Sequence, residues 1–376
     1  MLQTVFAWLT VFVALMSSLS VRALKLDLTG RVLHLPDWPY TSALKPVALS
    51  LEKRVAKACL RRGEYVSGSQ LSDKRVCEIL DALGSSDNQE DGSYMTLAQA
   101  LSLRKQLLVS KIVNESWKLR ENIPTIAKQY DRGRSIVEIS EVFDLPAVAV
   151  LRSIFTTRAQ GLRPDMYSGD VKQSVKIALR KKGDDVEEAE EDSDMVPDET
   201  RRRDMGQIRL LAAELLDDED LRQLSEAKKV DQVSYVDDNE GERTASRAWE
   251  LALYQHLDAH GVNYLTEEAL SESGCKSTPD VVLLDNVFIN GQQVKWFDAK
   301  NYYGSASSRF FLSKHQKQAT RYALEFDGAG ALVYRLGYSR ELLNKMRPGG
   351  AGARTGEGGC LLLDRGLLPE TPYESD

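Results

Sequence analysis

The sequence predicts a mixed α/β protein: an α-helical region with helix-turn-helix-like elements, followed by a C-terminal core in the order α-β-β-β-α-β. Three observations carry this expectation. From Met95 the apolar residues of LAQALSLRKQLLVSKIVNESWKLREN recur every three or four positions, as on a helix with one buried face. DVVLL and VKWFDAK are short runs rich in β-branched and aromatic residues, which suit a packed, pleated surface. Between them, INGQ places Asn-Gly where a tight hairpin turn needs it.

Taken in order, residues 1–23 form a candidate targeting segment. VFAWLTVFVALM (5–16) has the length of a signal-peptide core and is too short to span a membrane, so no stable span is expected. No Lys or Arg precedes Arg22, so the charged start of a signal peptide is missing, and a plain apolar helix stays open beside targeting to an organelle or the secretory route. Residues 24–94 form a poorly defined leader with turn signals such as LPDWPY and GSSDNQEDGS and one or two helices, including LSDKRVCEILDAL.

Residues 95–182 read as helical. Ser135 caps a helix carrying Ile136, Ile139 and Val142; FDLP breaks it; Pro146 begins another carrying Val150, Leu151 and Ile154. Two short helices joined by a tight turn, the second holding Arg152 and Arg158, suit a helix-turn-helix whose arginines contact DNA. An ordinary helical hairpin with solvated arginines fits the same pattern. Residues 183–204, including DDVEEAEEDSDMVPDE, form an acidic run that resists packing and reads as a disordered insertion. Residues 205–242 are a helical connector.

The core spans 243–345. RTASRAWELALYQHLDAH is an amphipathic helix with Ala248, Leu251 and Leu257 among its apolar positions; VNYLTEEAL supplies a short strand and a turn. After the two strands about INGQ come the helix SRFFLSKHQKQATRYALEF (308–326) and a buried strand in GALVYRLG. Residues 346–376 are a Gly-rich loop and tail, with no role assigned to CLLLDRGLL.

With 42% hydrophobic and 28% charged residues the chain has the composition of a soluble globular protein, and its 376 residues suffice for two or three domains or one domain with a long extension. A net charge of −7 argues against a basic nucleic-acid coat, yet one acidic segment can hide a local basic groove. Cys59, Cys77, Cys275 and Cys360 are far apart, without a C-x-x-C pair, which argues against zinc and against a disulfide framework.

The readable chemistry lies in STPDVVLLDNVFINGQQVKWFDAK (277–300). Asp280 begins one strand and Asp298 ends the next, so an antiparallel hairpin brings them to one sheet edge. Lys300, two residues beyond Asp298, shares its face because strand side chains alternate. Phosphodiester hydrolysis needs charge neutralised on the phosphoryl and leaving oxygens, and Mg²⁺ or Mn²⁺ suits a site of oxygen donors. Asp280, Asp298 and the backbone carbonyl of Ala299 would hold such an ion, Glu250 from the preceding helix would complete the site, and Lys300 would orient or help deprotonate the attacking water. Lys314, Lys317 and Arg321, with Arg309 and His315, would contact phosphates along the second helix. Tyr302 and Tyr303 would stack on a base or pack beneath the loop.

This constellation, PD-x(n)-D-x-K on an α-β-β-β-α-β core, resembles the PD-(D/E)XK restriction-endonuclease-like superfamily. A closer resemblance is to the TPD-motif family of the codanin-interacting nuclease. It rests on GCKSTPD followed by VKWFDAKNYYGS, on WELALYQHLDAHGVNYLTEEAL with Glu250 at the family's helix glutamate, and on Gln318 and Tyr322 in the helix before ALVYRLGY. It covers roughly 230 to 345 well and the helical region from 110 more loosely.

The resemblance implies a Mg²⁺- or Mn²⁺-dependent nuclease acting on DNA, with branched DNA as the guess for its structure. Asp280 and Asp298 match the metal-binding acids, Lys300 the catalytic lysine and Glu250 the helix acid. It further implies a codanin-like protein partner, a nuclear and cytoplasmic location, and a homodimer. Asp298 stands where Glu is common, and the acidic insertion and apolar N-terminus look foreign to the family. The alternative is a nuclease-fold interaction protein with little or no catalysis; intact Asp280, Asp298 and Lys300 favour the enzyme.

Overall fold

The computed structural model describes residues 31–38, 45–60, 73–84, 94–180, 199–231, 240–346, 360–366 and 368. The candidate targeting segment, most of the acidic insertion and most of the Gly-rich tail lie outside these residues. In chain order the elements are β1 (Val32–His34), α1 (Leu49–Cys59), α2 (Asp73–Gly84), α3 (Leu97–Asp131), α4 (Ile136–Phe143), α5 (Ala147–Leu162), α6 (Ser168–Arg180), α7 (Glu199–Glu214) and α8 (Asp218–Val230). Then follow α9 (Glu240–Ala259), β2 (Tyr264–Thr266), α10 (Glu267–Glu272), β3 (Val281–Ile289), β4 (Gln292–Lys300), α11 (Arg309–Glu325), β5 (Ala331–Tyr334), α12 (Arg340–Met346) and β6 (Leu361–Leu363). The chain divides into two compact units, one from Met1–Ala56, Ala82–Leu103 and Gly241–Asp376, the other from Lys57–Asp81 and Arg104–Glu240. No helix among the described residues is long and apolar enough to cross a membrane.

The first unit is built on a mixed sheet in the order β1-β3-β4-β5-β6, with β2 also paired to β3. β3 and β4 are antiparallel, and β5 lies parallel to β4. Asn290 and Gly291, with φ of 49° and 76°, form the two-residue turn that the Asn-Gly pair demands. Burial alternates along the whole of β3, so both faces of the sheet are distinguished. One face packs Val281, Val287, Phe297 and Val333 under Trp249, Ala252, Leu253 and Leu257 of α9. The other packs Trp296, Leu332 and Tyr334 under Ala319 and Tyr322 of α11 and Leu342 of α12.

The sheet is therefore a middle layer between helices. Leu251 was expected on the apolar stripe of α9 but is exposed, because it lies opposite Trp249, Ala252 and Leu253 on the helix. β1 and β6 lie outside the strands that the sequence predicts.

The N-terminal segments complete this unit. Val47 bridges to Ser339, and the Arg340 N–H donates to the Val47 carbonyl at 2.9 Å. Glu52 of α1, fully buried, accepts from the Ser305 hydroxyl and from the Ser307 N–H. Ser102 Oγ accepts from the Tyr303 N–H at 3.0 Å, and Gln99 Nε2 donates to the Leu336 carbonyl at 2.8 Å. The loop that follows Lys300 is thus fixed by α1 and the first turns of α3.

In the second unit α4 and α5 form the expected pair. Ser135 caps α4 by accepting from the Glu138 N–H. Ile136 and Ile139 are buried, whereas Val142 is exposed. Asp144 adopts the left-handed conformation that ends α4, and Pro146 precedes α5. Val150, Leu151 and Ile154 enter the core with Ile126 and Leu224. α8 closes both helix starts: Gln223 accepts from the Ile136 N–H and Asp231 from the Val148 N–H, each at 2.9 Å. α3 runs unbroken through Pro124, and α7 begins at Glu199, inside the stretch expected to be disordered.

Candidate functional site

The hairpin register decides the site. Val281 pairs with Phe297, so Asp280, one residue before β3, comes beside Asp298 and Ala299. The Ala299 N–H donates to Asp280 Oδ2 at 2.5 Å. The Asp280 carbonyl accepts from the Glu267 N–H at 3.2 Å and from the Tyr254 hydroxyl at 3.3 Å, which anchors the residue from β2–α10 and from α9. In a strand the N–H and carbonyl of one residue point to the same neighbour. The Ala299 carbonyl is therefore directed to the Asp280 side, while the Lys300 carbonyl turns to β5 and accepts from the Arg335 N–H.

Asp298 and Lys300 share the sheet face that carries Trp296 and Tyr334. Lys300 Nζ lies 2.8 Å from both Oδ1 and Oδ2 of Asp298, and the two side chains are only 12% and 6% exposed. Glu250 approaches from α9, on the opposite layer. Its Oε2 is 3.2 Å from Arg247, which also holds Glu268 at 3.0 Å. Glu250 is thus near the two aspartates in electrostatic terms but bound to its own helix.

Burial, then the Asp298 charge, holds the Asp280 carboxyl well above the usual carboxylate range, although the Ala299 N–H and Lys300 oppose this. Burial also raises Glu250 against the pull of Arg247, with Glu267 and Asp298 adding to the rise. Burial alone would depress the Lys300 ammonium, but Asp298 above all overcomes it, and the net shift is upward. Lys300 is accordingly protonated at neutral pH.

An aromatic wall stands beside the lysine. Tyr302, two residues on, donates to or accepts from His315 Nε2 at 2.8 Å, and Tyr334, the register partner of Lys300, meets His315 Nδ1 at 3.0 Å. The Tyr302 and His315 rings stack with centroids 5.9 Å apart. His315 is fully buried; burial, with the charges of Lys300 and Lys314, pushes its pKa down to about 3. Burial pushes Tyr302 up to about 12. His315 faces inward with Ala319 and Tyr322 on α11, and Tyr302 is half-buried against it. The periodicity of α11 carried that signal for His315; Tyr334 is found only through the register.

Lys314, Lys317 and Arg321 are exposed on the outer face of α11, where Lys317 and Arg321 line a shallow surface with Ser313, Gln316 and Thr320. Arg152 is exposed on α5, in the second unit. Arg158 is held by Asp131 at 2.8 Å and by both oxygens of Asp220 at 3.1 and 3.0 Å, and it lies over the Tyr130 and Phe155 rings. These bonds stay within its own unit. Ala147, Val148, Val150 and Leu151, at the start of α5, are buried.

Among the described residues no three His, Cys, Asp or Glu side chains converge as a metal cluster. The donor set at the hairpin edge is two carboxylates and one carbonyl, all hard oxygens of the kind Mg²⁺ and Mn²⁺ accept with water completing the shell. Burial first and the Asp298 charge second hold the Asp280 carboxyl up, and both press against its ionisation in the free protein. In charge and donor chemistry the residues fit a small divalent cation.

Residues 216–350 match the model of a family described as a protein of unknown function with a TPD sequence motif. Thr278-Pro279-Asp280 lies inside the match. A curated relative, CDAN1-interacting nuclease 1 of Xenopus tropicalis, is 33% identical over 94 residues, which is 25% of this chain and 30% of the relative. No solved structure matches the chain. The two matches support the TPD-motif family for this part of the protein.

Proposed function

We propose that the first unit is a phosphodiester hydrolase: a metal-dependent nuclease with a PD-x(n)-D-x-K site and a restriction-endonuclease-like core. Support for a nuclease-related function comes from the name of the partial relative. The observation that carries the chemistry is the hairpin edge, where the Ala299 N–H holds Asp280 and Lys300 grips Asp298. Asp280, Asp298 and the Ala299 carbonyl would hold Mg²⁺ or Mn²⁺, which supplies charge neutralisation at a phosphoryl oxygen when bound.

In this reading a water oxygen attacks phosphorus and passes its proton to solvent, the bond to the leaving deoxyribose oxygen breaks, and solvent protonates that oxygen. Lys300, whose ammonium Asp298 favours in the free protein, orients the attacking water or a phosphoryl oxygen and stabilises charge in the transition state. Asp280 and Asp298 orient the site, and Glu250 acts from the second layer through their shared field. Lys314, Lys317 and Arg321 on the outer face of α11 would contact the phosphates of DNA, and Arg152 those contacted by α4–α5 as a helix-turn-helix. Branched DNA is the substrate we assign, and a nuclear and cytoplasmic location with a homodimeric state belongs to the same reading.

The test is cleavage of labelled branched, single-stranded and duplex DNA, and matching RNA, with Mg²⁺ or Mn²⁺. Wild type should cut and Asp298→Asn, which keeps the side chain's volume, should lose at least about a hundredfold at a temperature where circular dichroism shows it folded. Equal background from both proteins across the panel removes the enzyme reading. A codanin-like partner is supported by the relative's name, and pull-down with a codanin fragment reads it separately.

A further inference from the structure

We propose that Lys300 is the resident cation of the Asp280–Asp298 site, and that a divalent ion loads only by displacing its ammonium. The inference rests on the nuclease reading and adds a device that couples metal loading to release of the lysine. Nζ sits at the same distance, 2.8 Å, from both oxygens of Asp298, on the bisector of the carboxylate. A divalent ion held by Asp298 would draw on the same two oxygens, both of which the ammonium already engages. The two cations would compete for them.

The surroundings favour the lysine in the free protein. Asp298 is nearly buried, so its charge needs a partner in place. On the β4 strand the i, i+2 spacing brings that partner to the same face. The wall behind the lysine offers no ready alternative, because both ring nitrogens of His315 are taken by the Tyr302 and Tyr334 hydroxyls. A displaced ammonium must find an anion elsewhere, and the substrate phosphate is one. Metal and nucleic acid would then bind with positive coupling, since each makes room for the other. The same contact keeps the metal-free site electrostatically balanced.

The experiment measures Mn²⁺ binding by calorimetry and electron paramagnetic resonance on the full chain, with thermal melts beside it and no nucleic acid present. Lys300→Met should bind Mn²⁺ at least about tenfold more tightly than wild type. Its melting temperature should start lower and rise more when Mn²⁺ is added, because the ion supplies the missing charge. Lys300→Arg, which keeps a cation on Asp298, should not gain affinity, and Asp298→Asn should bind nothing at millimolar Mn²⁺. Lys300→Gln, with a neutral donor in place of the ammonium, should gain affinity as Lys300→Met does and serves if that variant does not fold alone.

Equal or weaker Mn²⁺ affinity in both neutral variants overturns the displacement while leaving the metal site standing. Neutral variants that stay unfolded with millimolar Mn²⁺ overturn it as well. If neither wild type nor any Lys300 variant binds Mn²⁺, the metal reading fails and the displacement with it.

Discussion

His315 sits where a charged histidine would be costly: fully buried, between two tyrosine hydroxyls and close to Lys300. Its pKa falls to about 3 in the fold, against about 6.5 for an exposed histidine. Below the unfolded value the unfolded chain binds the extra proton and the folded chain does not, so stability is lost as pH falls from about 6.5 towards 3. A His315→Phe variant should be less stable at pH 7 and also show a flatter decline between pH 7 and 5. The difference in slope should approach about 1.4 kcal/mol per pH unit for one proton. Urea midpoints across that range measure it; parallel declines would mean that another group titrates. The sequence offered His315 as a phosphate contact because its neighbours Lys314 and Lys317 are basic, and only the helical phase separates them.

At the level of elements, the β3–β4 hairpin and the β4–β5 pair set the site, and each depends on a small residue. A Cβ at Gly330 would fall 2.0 Å from the ring of Trp296, against which the entry to β5 is pressed. Gly330→Ala should therefore cost about 3 kcal/mol or more and disturb the strand on which Asp298 and Lys300 depend. Gly291 has open space but a φ of +76°, so Gly291→Ala should cost only about 1 kcal/mol through backbone strain. Thermal melts of the two variants should keep this order. In the second unit Asp220 is nearly buried while accepting from Tyr130 at 2.7 Å and from Arg158. Asp220→Ala should cost about 2–4 kcal/mol, read from denaturant midpoints, because it orphans a tyrosine, an arginine and a helix cap.

At the scale of the molecule, the site-bearing unit is discontinuous in sequence. A fragment beginning at Gly241 keeps Asp280, Asp298 and Lys300 but loses Glu52 and Ser102, which hold the loop after the lysine, and Gln99, which holds the Leu336 carbonyl. It also exposes the fully buried Tyr303 and Tyr338 neighbourhood that Val47 borders. We expect circular dichroism of this fragment to lack the cooperative melt of the full chain. A cooperative melt at the full-chain temperature would show that residues 241–376 stand alone.

What the sequence determined by itself was local. The Asn-Gly turn, the alternation along β3, the D-x-K spacing and the cap at Ser135 each follow from neighbours a few residues apart, where backbone sterics and period suffice. The order of the core elements and the pairing of Asp280 with the end of β4 were legible for that reason. The tertiary structure decided the rest. Which cations stay free, that Arg158 is consumed by Asp220, that Glu250 answers to Arg247, and that Tyr302 and Tyr334 enclose His315 all depend on partners distant in sequence. Charge and burial at such positions are sums over space, and a chain read in one dimension does not contain the distances in that sum.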